Sequence, residues 1–112
     1  DILQEWEFSQ KFDLIYSSDV LVYFGNLDSI IRSASSYLVQ GGLIAFSVER
    51  LDDDNAGYRL FPSGRYAHSQ KYVQDCLGRH GLKLIEETKA GIRKQSGNQV
   101  KGLLFVARRE EK

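Results

Sequence analysis

With 112 residues, 42% of them hydrophobic and 27% charged, the chain has the size and make-up of one small globular domain. Its 15 Lys and Arg balance 15 Asp and Glu, so charge gives no argument for a nucleic-acid or anionic-membrane partner. No apolar run approaches the ~20 residues of a membrane span. No signal-peptide pattern opens the chain, and the single cysteine, Cys76, leaves no internal disulfide, which fits a reducing, cytoplasmic setting.

The sequence contains no methionine, so a processed product, a cleaved fragment or a deliberately shortened chain is expected. Residues 2–8, ILQEWEF, read as a short helix or turn. FDLIYSS (12–18) is the first strand, its apolar residues running together as in a strand covered on both faces. It stops at Ser17, Ser18 and Asp19, and a buried strand ending in small polar groups usually feeds a ligand crevice in a doubly wound α/β sheet. Asn26 is the expected N-cap of a helix carrying Leu27, Ile30, Ile31, Ala34 and Leu38 on one face, with Gly41–Gly42 as its stop. LIAFSVE (43–49) is a second strand of the buried type, followed by a long loop over 50–68. Ser69 caps the next helix, whose Tyr72, Val73, Cys76, Leu77 and His80 share a face before Gly81 ends it. Two strands joined through QSGNQVK (95–101) close the chain as a hairpin.

The order strand, helix, strand, helix, strand, strand predicts a mixed, mostly parallel α/β sheet with helices on its faces and a terminal antiparallel hairpin. The loop after the second strand is the natural substrate side, and there Glu49, Tyr66 and His68 are placed to orient or deprotonate a nucleophile. The run Asp52, Asp53, Asp54 lacks the spacing that converges carboxylates on calcium, so it reads as a solvated turn and no metal is expected. Cys76 reads as core, and His80 as a helix cap.

The succession of FDLIYSSDVLVYF, GGLIAFSVE, SGRYAHSQKYVQDCLGRHGLKLIEE and GLLFVARR resembles the C-terminal half of class I S-adenosylmethionine-dependent methyltransferases. GRYAHS narrows the likeness to those attached to tetratricopeptide repeats, although Gln40 stands where that family often has proline. The resemblance implies one C-terminal subdomain over 1–112: a partial Rossmann-like fold with its strands in the family order fourth, fifth, seventh, sixth. It implies S-adenosylmethionine as cofactor, held in part by Asp1 and Ile2 against the adenine and by Ser17, Ser18 and Asp19 around the methionyl chain. Tyr66 and His68 then lie on the acceptor side as catalytic candidates, while Val20, Leu21 and Tyr23 read as core or lid packing. The family's first strand, glycine-rich turn and ribose carboxylate have no counterpart here. The chain alone is therefore expected to bind cofactor weakly and to be inactive, to supply the acceptor-side half of a site, and to form a homodimer. Two other readings stay open: an interaction module without chemistry, and part of a nucleotide-binding oxidoreductase, against which the terminal hairpin argues.

Overall fold

The computed structural model describes residues 12–17, 20–52, 55–95 and 98–110. In chain order these form β1 (Phe12–Ser17), a 3-10 turn (Leu21–Tyr23), α1 (Asp28–Ser36), β2 (Leu38–Arg50), β3 (Tyr58–Leu60), β4 (Tyr66–His68), α2 (Gln70–Arg79), β5 (Leu82–Gln95) and β6 (Asn98–Arg109).

β2 is the spine of the sheet. Along one edge it takes β1 in parallel, from Leu14 opposite Leu43 to Ser17 opposite Phe46, and then β4 in parallel at Glu49 and Arg50. Along the other edge it takes β6 in antiparallel register, and β6 in turn carries β5. β3 closes the far side as the antiparallel partner of β4.

Three expectations need correcting. The sheet is mixed but mostly antiparallel, because β6 runs against both of its neighbours and so turns the two long ladders antiparallel. The segment 50–68 is not one loop, since β3 and β4 form within it; the order β3-β4-β2-β6-β5, with β1 on β2, includes two strands the expected order lacked. The first helix stops at Ser36, where the Tyr37 amide donates to the Ser33 and Ala34 carbonyls, and Leu38 already belongs to β2. Gly41, at φ +80°, serves instead the offset in the β1–β2 register between Phe12–Leu38 and Leu14–Leu43.

Both helices lie on one face. Ile30, Ile31 and Ala34 of α1 and Val73, Cys76 and Leu77 of α2 share a core with Ile44, Phe46 and Val48 of β2 and Leu103, Phe105 and Ala107 of β6. The Phe46 and Phe105 rings stack there at 5.5 Å. The strand residues of that core alternate, as one face of a pleat must. On β1, by contrast, Leu14 is 58% and Tyr16 66% exposed, so among the described residues the strand expected to be covered on both faces is covered on one.

Helix ends follow local chemistry. Ser69 accepts the Tyr72 amide at 3.2 Å, the expected cap of α2. At α1 the backbone cap is Leu27, while the Asn26 side chain accepts the Asp28 amide at 2.9 Å. His80 closes α2 and its ring meets Asp28 at 2.8 Å, with Arg79 at 2.6 Å on the same carboxylate oxygen. That contact ties α2 to α1, and the two partners hold the Asp28 carboxyl below its ordinary pKa.

Candidate functional site

Parallel pairing sends the C-terminal ends of β1, β2 and β4 to one edge of the sheet. This is the edge at which open α/β sheets bind ligands. Ser17 ends β1 there and lines an apolar cavity of about 120 Å3, walled by Ile15, Leu21, Ile31 and Phe46. Asp1, Ile2, Ser18 and Asp19, the other expected cofactor residues, lie outside the described residues. Of Val20, Leu21 and Tyr23, Leu21 is buried, Val20 is half-buried and Tyr23 is 59% exposed, so core packing fits Leu21 and not Tyr23.

The six residues GRYAHS are each fixed by a separate contact. Gly64, at φ +83°, makes the turn into β4. Arg65 is buried and its Nε donates to the equally buried Glu49 carboxylate at 2.5 Å. Its Nη1 donates to the Tyr23 hydroxyl at 3.2 Å, with the guanidinium 5.3 Å from the centre of that ring. Tyr66 meets Tyr58 edge-on at 6.0 Å, and Ala67 is buried opposite Glu49. His68 is fully buried, and Ser69 caps α2.

His68 has little freedom. Its Nε2 lies 2.8 Å from the Phe24 carbonyl and 3.0 Å from the Gly25 carbonyl. Both are acceptors, so this nitrogen carries the hydrogen. Nδ1 is buried with no partner. Burial depresses the imidazole pKa, more than the two carbonyls and the Glu49 charge raise it, so the ring is held neutral.

Around it stand Tyr58 and Tyr72, the latter stacked on the imidazole at 6.2 Å. The Tyr72 hydroxyl accepts the Leu27 amide at 2.9 Å and donates to Asn26, and burial pushes its pKa up to about 12. The segment 24–27 is thus held from three sides. A Cβ on Gly25 would sit 2.6 Å from the Tyr58 ring and 2.8 Å from that of Tyr66. Only glycine lets the backbone approach the rings so closely.

Tyr66 and His68 both stand against Tyr58, at 6.0 and 6.2 Å, whereas Glu49, paired with Ala67, is turned to the other face of the strands with Arg65. Tyr23, Tyr58, Arg65 and Tyr72 were left out of the chemistry by the sequence reading. The signal for the three tyrosines was their density on either side of the motif, and Arg65 stood within the motif itself. Among the described residues no group of three His, Cys, Asp or Glu side chains gathers as metal ligands would, and no helix is long and apolar enough to cross a membrane.

No family model and no curated protein matches the chain. Solved structures do. An S-adenosylmethionine-dependent methyltransferase from Methanosarcina mazei superposes with a TM-score of 0.74 at 14% identity, over 96% of this chain and 65% of that one. The N-methyltransferase NodS of Bradyrhizobium japonicum, in complex with S-adenosyl-L-homocysteine, gives 0.70 at 25% identity, over 99% of this chain and 52% of its own. The fold is that of the S-adenosylmethionine-dependent methyltransferases. A third such methyltransferase, the 1,6-didemethyltoxoflavin-N1-methyltransferase of Burkholderia thailandensis, gives 0.74 at 14% identity over 97% of this chain. The chain spans between 48% and 65% of the length of these three methyltransferases.

Proposed function

We propose that this chain supplies the acceptor-side part of an S-adenosylmethionine-dependent methyl-transfer site. The observation that carries the reading is the superposition on NodS, at 25% identity over 99% of the chain, with the ends of β1 and β2 at the ligand edge. The described residues fit one wall of such a cofactor: Ser17 offers a hydroxyl beside an apolar cavity. In this reading Asp1, Ser18 and Asp19 are the polar anchors on this side of the cofactor, as the resemblance implies. When bound, the cofactor supplies an activated methyl group, and alignment of donor and acceptor then provides most of the rate.

In this reading His68 and Tyr66 act on the acceptor side by position. His68 holds the Phe24–Gly25 carbonyls and Tyr66 packs against the same turn, so together they fix where the 3-10 turn stands. Tyr23 is the residue exposed to an acceptor, its hydroxyl oriented by Arg65. The family order of the strands, fourth, fifth, seventh, sixth, and the tie to tetratricopeptide repeats belong to the same proposal, the second resting on GRYAHS alone. An interaction module is the second reading, supported by the exposure of Leu14 and Tyr16 on β1.

Calorimetry with S-adenosylhomocysteine tests the proposal on two samples, this chain and the product of its whole gene. The gene product is expected to bind and the 112-residue chain to bind far more weakly, since each unpaired ligand hydroxyl forfeits about 1–3 kcal/mol. No binding by the gene product removes methyl transfer. Equal binding by both removes the division of the site.

A further inference from the structure

The helix face of the sheet ends in a second cavity, of about 230 Å3, which the aromatic corner does not use. Register brings its walls together. Val48, Leu103 and Lys89 sit side by side across β2, β6 and β5, and Arg50 follows Val48 two residues on, hence on the same face. Arg50, Lys89 and Gln70, the first residue of α2, line the space together with Leu51 and Asp52.

Arg50 is the informative side chain. It is 18% exposed, and its Nε is buried with no hydrogen-bond acceptor. The Asp52 carboxylate lies 2.8 Å away, close enough to balance the charge but out of line with the N–H. A desolvated guanidinium N–H without an acceptor is costly, and an oxyanion is the group that satisfies it best. Lys89 adds a second cation from another strand. Of the carboxylates nearby, Glu87 is already taken up by the Gln70 and Gln74 amides, and Asp52 is 65% exposed and free to turn out to water.

We infer that this cavity binds an oxyanion, a carboxylate or phosphate, carried by the methyl acceptor. Assigning the anion to the acceptor rests on the methyl-transfer reading; the anion site itself does not. In the bound state the Arg50 Nε–H and the Lys89 ammonium both donate to the oxyanion, and the Asp52 carboxylate is displaced. The acceptor class is therefore a small acid, bound on the helix face of β2 and reaching past its end.

The test uses the 112-residue chain and inorganic phosphate, at constant ionic strength, followed by the NMR resonance of the Arg50 side-chain N–H. A saturable shift is expected. Lys89→Met, an exposed position, is expected to weaken it about tenfold, the loss of one charge-assisted hydrogen bond, and Asp52→Asn to strengthen it. Titrations with acetate and with methyl phosphate separate a carboxylate site from a phosphate one. Saturable binding that depends on Lys89 supports the site whether or not the gene product binds S-adenosylhomocysteine. A shift that chloride reproduces, that ignores Lys89→Met, or that never saturates overturns it even if that cofactor binds.

Discussion

The imidazole of His68 is a structural donor whose second nitrogen has nowhere to put a proton. Because burial depresses its pKa below the ordinary 6.5, the unfolded chain takes up a proton that the folded chain refuses. The sign follows: stability is full above about pH 6.5 and falls as pH drops from there toward the folded pKa. Asp28 also loses stabilisation on acidification, but only near and below its ordinary value of 3.8, well under the onset of the His68 effect. Melting curves between about pH 7 and about pH 5.5 should therefore slope more steeply for the parent than for His68→Gln. Glutamine keeps an N–H donor for the Phe24 carbonyl and has no proton to gain. Parallel slopes would show that His68 is not the acid-sensitive group. Its place in the motif was readable from sequence, as a titratable residue after the second strand. Its burial was not, because that depends on Tyr58 and Tyr72 arriving from separate elements.

Among the elements, α2 carries the motif's geometry into the core. Its cap, its apolar face and its Gly81 stop all agree, with Gly81 at φ +73°. Ser69→Ala, which removes the acceptor of the Tyr72 amide, should cost about 1 kcal/mol in urea denaturation. A loss near zero would mean that another group takes that amide. Elements of this kind were legible because a 3.6-residue apolar period and a polar cap state the same thing twice. β3 and β4 were not, being three residues each, and β3 is exposed along its whole length. They exist because Glu49 and Arg50 offer β4 a parallel edge, and no local pattern announces such an edge. β1 misled for another reason. Its run Leu14, Ile15, Tyr16 has the composition of a doubly covered strand, and composition does not say whether the second cover lies in the same chain.

For the molecule as a whole that exposure has a consequence in solution. Among the described residues β1 pairs only with β2, and its Leu14 and Tyr16 stand at 58% and 66% exposure. A free apolar edge is a template for another chain, and the partner always present is a second copy. Light scattering at high micromolar concentration should give a dimer, and Leu14→Lys or Tyr16→Lys should return it to a monomer. A parent that is monomeric at that concentration ends the argument. The inserted position of β6 bears on a different matter, the order of events during synthesis. The strand that joins β2 to β5 follows every other described element in the chain. Until it emerges, both of its neighbours wait with open edges, and the ladder from β2 to β6 must close over the whole intervening sequence. The sheet can therefore pair β1, β2, β4 and β3 as they leave the ribosome, but it cannot take in β5 until β6 is made. Its two halves are held apart until the last strand is made, and the nascent chain depends through that interval on helices packed against half a floor.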